Sequence, residues 1–450
     1  VKIAVIGGGI TGLSAALALH RNGVETTLFE SGDRVGGKIA TSPILGREID
    51  EGPDAFLARV PWAVELCRSL GLGDRLISPA GLGSYVFSRG KLRRIPDGLV
   101  LGVPAGVVGL ARGGVMGPTG VVRAGLEPLM ARRPYRGHPD NVGAIIRHRF
   151  GDQVLERIVD PLLGGIYAGS ADTMSLRAGA PQLDGIAANR SMLLTLRRRP
   201  APPTTGPIFF SLPGGLAELV NAITVALGDM PVRLNTMVQR LERSGGQVLV
   251  HHGDMTERVD RVILATPAPV SARLLASLSA DVTDALDTIA YASVAMVTAA
   301  VPSEAIGRPL DATGFLVPRP ERRFVTACSW GSAKWPHWAD GQTEILRVSA
   351  GASDAPGACD LDDADLGGRI FDDLERLMGL RVDPVAVRIT RWVNSFPQYE
   401  PGHLERIAMI EGLVRRDVPE VVLAGAAYRG IGIPACIRQG FEAAEAAAAS

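Results

Sequence analysis

The sequence is poor in the features that mark many functional classes. It has four cysteines, Cys67, Cys328, Cys359 and Cys436, spread over 450 residues with no CxxC pair. That excludes a disulfide framework and fits a reducing compartment. Charge of one sign is missing too: 47 basic residues balance 47 acidic ones, so no basic field recruits nucleic acid. The longest uncharged apolar run, "GLVLGVPAGVVGLA" at 98–111, has 14 residues and is interrupted by Pro104 and several glycines. It falls short of the ~18 residues a spanning helix needs and reads as a buried or loop-rich segment, with an interfacial membrane patch as the alternative. The seven histidines, His20, His138, His148, His251, His252, His337 and His403, show no HExxH and no zinc spacing. The pair His251 and His252 reads as a solvated hairpin end, and Arg197 to Arg199 as a solvated loop able to collect a carboxylate-rich substrate. No GxSxG elbow supports a serine hydrolase. Val1 leads directly into a strand-like run, so no targeting segment is expected. Together these absences predict a cytoplasmic protein, with peripheral membrane contact left open.

What is present begins at the second residue. At 450 residues the chain exceeds the ~250–300 at which one core divides, so two or three subdomains are expected. "KIAVIG" reads as a buried parallel strand, "LSAALALHRNG" as a helix with Leu13, Ala16, Leu17 and His20 on one face and Gly23 as its stop, and "ETTLFE" as a second strand ending in Glu30. Between them "GGGITG" places Gly7, Gly9 and Gly12 in GxGxxG spacing, with an acid 18 residues after the last glycine. In such a unit the first glycine permits the turn, the second admits a pyrophosphate and the third lets helix pack on strand; the acid receives a ribose. The helix amides then face the phosphate. A second glycine pair with two cations follows at once in "SGDRVGGK" (Arg34, Gly36, Gly37, Lys38), and "IDEGPDAF" adds a turn at Gly52 and Pro53. Two close backbone approaches flanked by positive charge favour FAD over NAD.

No other GxGxxG follows a strand. "GLARGGVMGPTG" at 109–120 is glycine-rich but lacks a preceding strand and a later acid. A reductase fed by NAD(P)H would need a second nucleotide site, so electrons are expected to come from an organic substrate and pass to dioxygen or another acceptor. "LPGGLAELVNAITVAL", "DRVILATPAP" and "EVVLAGAAYRGIGIPACIRQGFEAAEAAAA" read as returning helices and strands of the same cofactor domain. The fold class is α/β: a discontinuous FAD-binding Rossmann-like domain (1–79, 206–279 and 391–450), a mixed-sheet substrate domain (80–97 and 280–390) and a mainly helical insertion lining the substrate cavity (98–205).

The blocks "VIGGGITGLSAA", "FESGDRVGGKI", "DEGPDAFLAR", "PLLGGIYAGSADTMSLRAGAP", "TGFLVP", "CSWGSAKWPHW", "RWVNSFPQYEPGH" and "AGAAYRGIGIPACIRQG" resemble, in order and along the whole chain, the protoporphyrinogen and coproporphyrinogen oxidases of the flavin monoamine oxidase superfamily. The first two are shared across that superfamily; "GGIYAGSADTMSL" and "RWVNSFPQYEPGH" single out the porphyrinogen oxidases. The likeness is strongest to the soluble bacterial branch that oxidises coproporphyrinogen III to coproporphyrin III in haem biosynthesis.

The resemblance implies FAD contacts from Gly7, Gly8, Gly9, Ile10, Thr11 and Gly12, from Glu30, Ser31, Arg34, Gly37 and Lys38, and from Gly52, Pro53, Asp54 and Ala55. It adds Val238 near the adenine, Trp392, and Gly430, Ile431, Gly432 and Ile433 at the flavin ring. It places Tyr167, Ala168 and Gly169 along the substrate cavity. The implied reaction removes six electrons in three two-electron rounds, each reoxidised by dioxygen to hydrogen peroxide. A meso carbon loses hydride and a pyrrole nitrogen a proton, and no catalytic acid or base is assigned. The partners implied are a porphyrinogen, dioxygen and other haem-pathway enzymes that receive the product. Two positions depart from the family. Lys38 stands where many members have arginine, keeping charge but losing the bidentate fork. Ser84, before Tyr85, stands where the mitochondrial branch has an arginine expected to pair with a propionate. That weakens protoporphyrinogen as substrate and makes Arg59 the candidate cation, with a surface salt bridge as its other reading. Protoporphyrinogen oxidase, amine oxidase and desaturase remain the alternatives on this scaffold, and a lipid-escort binding protein the alternative from another class.

Overall fold

A computed structural model describes residues 1–81, 83–130, 137–198, 206–381 and 383–449. The opening apolar run forms β1 (Lys2–Ile6), buried from its second residue onward. The glycines then lead into α1 (Ile10–Arg21), and the chain returns as β2 (Glu25–Phe29). α1 buries Leu13, Ala16, Leu17 and Leu19, each leucine contributing about 1.5–3 kcal/mol. His20 lies in its last turn and faces solvent instead of sharing that face. β1 pairs in parallel with β2, Ile6 opposite Phe29. Val232–Arg233 extends the sheet beyond β2, and Arg261–Leu264 and Val421–Leu423 extend it beyond β1. All five strands are parallel, so their carboxyl ends, followed by Gly7, Glu30, Leu234, Ala265 and Ala424, share one edge. In open α/β sheets that edge is where ligands bind.

A three-stranded antiparallel sheet, Val238–Ser244, Gln247–His252 and Met255–Val259, lies beside this layer. It corrects the expectation for the histidine pair. His252 is buried against Phe29, ring centroids 5.2 Å apart, because strand alternation sends it inward while His251 meets Glu242 at the half-buried face. Among the described residues no cluster of three or more side chains could hold a metal.

The second large sheet has seven strands, in the order Ala386–Pro397, Tyr291–Pro302, Thr343–Ala350, Val325–Trp330, Gly314–Leu316, Tyr85–Ser88 and Lys91–Arg94. The strand containing residue 391 lies wholly in this sheet, so a boundary at 391 would cut an element. Its pairing with Tyr291–Pro302 slips between Ala292 and Val294. There Asn394 adopts a φ of 44° and its amide donates to Ser293 Oγ at 2.9 Å. A bulge of this kind bends the strand and re-aims the flanking side chains, here Trp392 and Phe396.

Between residues 107 and 198 the described chain is mostly helical, including Pro118–Gly125, Val142–Phe150, Asp160–Tyr167 and Met192–Arg198, packed around Leu110, Ile146, Phe150, Leu155 and Leu163. The apolar run at 98–111 folds as a short hairpin, Leu99–Val100 with Val103–Pro104, entering the helix Val107–Gly113. Val103 and Leu110 are buried. Among the described residues no helix is long and apolar enough to cross a membrane. Arg197 and Arg198 are exposed, and Arg199 lies outside the described residues.

Candidate functional site

The glycine loop is held by backbone and one carboxylate. Gly7 N donates to Phe29 O at 2.8 Å and Gly8 N to Glu30 Oε2 at 2.8 Å. The other oxygen of Glu30 accepts from Gly32 N at 2.7 Å and Ser31 Oγ at 3.3 Å. Glu30 thus stands at the loop mouth with its neighbours fixed, where a dinucleotide ribose would lie. Asn235 N and Thr236 N donate to Gly32 O and Glu30 O at 2.8 and 2.9 Å, which brings buried Val238 to the same end. Gly12 is required by contact, since a Cβ there would run into the carbonyl of Gly7. A Cβ at Gly9 would meet nothing within 4 Å. On this open side α1 begins with no side-chain cap and no acid in its first turn, leaving the amides at Ile10, Thr11 and Gly12 for an anion.

The second glycine pair closes over the first: Gly36 N donates to Gly8 O at 2.8 Å, and Gly36 bridges Gly9. Gly37 follows with a φ of 57°, its Cα side against Gly9. The two cations here differ from each other, and Arg34 differs from expectation. Arg34 donates to the carbonyls of Val35, Gly37 and Ile39 at 3.2, 2.9 and 3.2 Å, so it braces the loop from behind and does not present its fork to an anion. Lys38 has no acid or acceptor partner among the described residues, and burial lowers its pKa, against a raising influence of Cys436. A half-buried ammonium without a counter-ion beside capless helix amides fits an anionic cofactor.

Lys38, Gly52 and Trp392, far apart in sequence, meet. A Cβ on Gly52 would strike the Lys38 carbonyl and lie 3.3 Å from Trp392 Cζ2, and the indole donates to Glu51 O at 3.4 Å. Pro53 and Ala55 continue this partly exposed turn. The side chain of Asp54 is a correction. It points away, receiving Lys334 Nζ at 2.8 Å, Trp335 Nε1 at 3.1 Å and Arg347 NH1 at 3.0 Å. Burial alone would raise its pKa, but Lys334 and Arg347 outweigh that and hold it below the usual carboxylate range. Only its backbone is left for a ligand. Lys334 and Arg347 had no recognisable signal in the sequence.

At the other side of the sheet edge, Ala424 N donates to Leu264 O at 3.0 Å and the chain turns through Gly430 into the C-terminal helix Ile433–Ala449, which also has no acid in its first turn. Gly430 has a φ of +124°, and its Cβ would sit 2.6 Å from that of Ala435. A Cβ at Gly432 would touch only Pro434 Cδ, at 3.8 Å. The two helices abut: Gly440 rests on the Thr11 carbonyl, and Cys436 lies near both Thr11 and Lys38. The glycine loop and the terminal turn therefore form one cradle. Ile431 packs onto the helical core and Ile433 is buried beneath.

The bend Tyr167–Ala168–Gly169 follows the helix Asp160–Tyr167, with Ala168 at a left-handed φ of 52°. Side chains from distant segments hold it. Arg319 NH2 donates to Gly169 O at 3.0 Å while the same guanidinium pairs with Asp160 and with Asp354, Nε at 2.6 Å. Gln398 Nε2 donates to Tyr167 O at 2.9 Å, and Ser353 N to Ala168 O at 2.8 Å. Ala168 packs with Ala292, Val294 and Phe396 beside the bulge. Tyr167 lies against Tyr399, centroids 5.7 Å apart. Burial pushes the Tyr167 hydroxyl up to about 12 and that of Tyr399 well above its usual value, so both stay protonated near neutral pH, and Tyr399 donates to Ala426 O at 2.5 Å. The hydroxyl of Tyr399 accepts from Gly430 N at 3.0 Å, which joins bend to cradle. Arg59 stands apart on the surface, exposed and without an acid partner among the described residues, so the surface salt bridge does not form. Ser84 is engaged by Thr313 at 3.0 Å.

The family described as Flavin containing amine oxidoreductase matches residues 10–448. A coproporphyrinogen III oxidase from Bacillus subtilis (strain 168) is 33% identical, over 97% of this chain and 96% of its own length. One from Mycobacterium tuberculosis (strain ATCC 25618 / H37Rv) is 35% identical, over 96% and 94%. Among solved structures, the "Putative protoporphyrinogen oxidase from Exiguobacterium sp. 255-15" superposes with a TM-score of 0.89 at 30% identity, covering 99% of this chain and 98% of that one. The cradle and its unpaired cation, on a chain matched end to end, lead to one assignment: this protein belongs to the flavin-containing amine oxidoreductases, among the porphyrinogen oxidases, and uses a flavin.

Proposed function

We propose that this chain binds FAD along the sheet edge and oxidises coproporphyrinogen III to coproporphyrin III. The observation that carries the cofactor reading is the pair of open glycines, Gly9 and Gly432, ahead of two helices with no acid in their first turns and with Lys38 unpaired beside them. The amides of Gly9 to Gly12 and the Lys38 ammonium would hold the diphosphate, Glu30 a ribose, and the first amides of the C-terminal helix the pyrimidine end of the ring. When bound, FAD supplies a two-electron acceptor that dioxygen regenerates. The chain's own part is positioning and electrostatics. Helix amides aimed at the pyrimidine end favour negative charge there, and the bend at Tyr167–Gly169, braced by Arg319 and Gln398, would set the porphyrinogen against the ring's face. Coproporphyrinogen carries two propionates where protoporphyrinogen carries two vinyls, and exposed Arg59 suits the more anionic of the two. The substrate loses six electrons and six protons, which three dioxygen molecules take up as three of hydrogen peroxide.

Purified protein given each porphyrinogen in air tests the reading. The expected result is a flavin absorbance spectrum, porphyrin fluorescence rising faster with coproporphyrinogen III, and about three peroxides per porphyrin from the electron balance. Absence of flavin or of fluorescence overturns the function, and faster turnover of protoporphyrinogen overturns the substrate.

A further inference from the structure

Two adjacent side chains reach into different halves of the site. The amide of Gln398 gives both protons away, to Tyr167 O at 2.9 Å and Phe396 O at 2.9 Å, and its oxygen fills the space beside Gly169 where a Cβ would collide. It therefore holds Ala168 in the left-handed conformation that alanine ordinarily avoids. The next side chain points the other way. Tyr399 Oη donates to Ala426 O at 2.5 Å and accepts from Gly430 N at 3.0 Å, so one hydroxyl closes both ends of the turn before the C-terminal helix. Its ring stacks on His403, centroids 4.1 Å apart and planes within 22°, and His403 Nε2 donates to Tyr428 O at 3.0 Å. Three backbone groups of that turn thus hang on Tyr399 and its stacking partner. The dipeptide is itself fixed: Gln398 N donates to Ala290 O at 2.8 Å, and Tyr399 O accepts from Ser175 N at 2.7 Å.

We propose that Gln398 and Tyr399 are a divided pair of positioning residues, Gln398 setting the substrate-side bend and Tyr399 the turn that receives the pyrimidine end of FAD. The inference rests on the FAD and porphyrinogen reading above. A bond to a backbone group leaves the reacting atoms untouched, so each residue acts through the segment it holds: Gln398 through Tyr167–Gly169, Tyr399 through Ala426–Gly430. The two hydrogen-bond sets share no atom, and the ring contact that links bend to turn, Tyr167 on Tyr399 at 5.7 Å, survives both substitutions below, so the two roles should separate.

The test uses Tyr399→Phe and Gln398→Met in the full-length holoprotein, each keeping most of the side-chain volume. Tyr399→Phe is expected to raise the FAD dissociation constant about tenfold, the scale of hydrogen bonds lost at a buried site, and to make the flavin harder to reduce. A tenfold change in that equilibrium is about 30 mV for two electrons. Its KM for coproporphyrinogen III should stay near that of the wild type. Gln398→Met is expected to raise that KM about tenfold while FAD affinity and potential do not move. If both variants shift both sets of quantities, or neither shifts its own, the division is wrong. A wild-type protein without FAD, or inert toward porphyrinogens, refutes instead the function on which the proposal stands. Should a variant not fold, hydrogen–deuterium exchange of the wild-type holoprotein decides: a protected Gly430 amide supports the role of Tyr399, and one exchanging like an open loop overturns it.

Discussion

The glycine loop after β1 and the bend at Tyr167–Gly169 are built in opposite ways. The loop is held almost entirely by residues within thirty positions of it, and mostly by backbone: Gly7 to Phe29, Gly8 to Glu30, Gly36 to Gly8. The bend is held by Arg319, Gln398 and Ser353, each at least 150 residues downstream. A structure of the first kind is broken by adding atoms, one of the second kind by removing them.

The largest effect should come from adding a side chain to the loop. Gly12→Val drives carbon into the Gly7 carbonyl, a backbone atom that cannot yield. The expected outcome is protein without bound flavin and a strongly lowered Tm, read by absorbance and calorimetry. A flavin-replete Gly12→Val protein would erase the contrast. At the bend, Arg319→Ala leaves the buried Asp160 carboxylate without its guanidinium. Because Arg319 is about one-third exposed, the cost is about 2 kcal/mol, below that of a fully buried pair. Denaturant melts should show it, with KM raised and flavin content retained.

A proton offers a finer probe of the side-chain-built region. Burial lowers the pKa of His403 to about 4, so its folded form takes a proton only well below the ordinary histidine range. From pH ~6.5 down to that value the unfolded chain gains the proton first, and stability falls as pH falls. Burial also raises Asp50 to about 6. Its folded form is protonated first, so it contributes a rise in stability on acidification over an overlapping window. The difference between wild type and His403→Gln isolates the first group. The wild type should lose on the order of 3 kcal/mol relative to the variant between pH 6.5 and 4. A constant difference across that range would mean the ring is solvated. The smallest effect is expected at exposed Arg59, where, on the proposed substrate, Arg59→Ala should raise KM for coproporphyrinogen a fewfold and leave Tm unchanged.

The same contrast explains how much was legible in sequence. The β1–α1–β2 unit could be read because its constraints are contiguous and each falls on a glycine or an acid at fixed spacing. The C-terminal turn was readable for a similar reason, since Gly430 and Gly432 mark it. Arg34 and Asp54 lie in the neighbourhood that the sequence indicates, but their side chains are engaged by the protein itself, because residue type predicts charge and not which partner claims it. One is taken by carbonyls of its own loop, the other by Lys334 and Arg347. Gln398 and Tyr399 lie within the segment RWVNSFPQYEPGH, yet they bond to main-chain atoms 231 and 31 positions away. A backbone carbonyl carries no residue identity, so such a bond leaves no trace in the order of amino acids. The polar residues around His252 mask its inward phase on the strand, which only the alternation with buried Val248 and Val250 reveals.

The parallel sheet also sets which parts of the chain must be present before the cradle is complete. Its strands come from residues 2–29, 232–233, 261–264 and 421–423, and the C-terminal helix starts at Ile433. On a ribosome, where N-terminal parts emerge and begin to fold first, the glycine loop would wait through some four hundred residues of synthesis for the strand and helix that finish the cradle. A chain truncated before residue 421 would keep the fingerprint but lack the strand Val421–Leu423 and the helix Ile433–Ala449 that complete the cradle, and it is expected to purify without flavin.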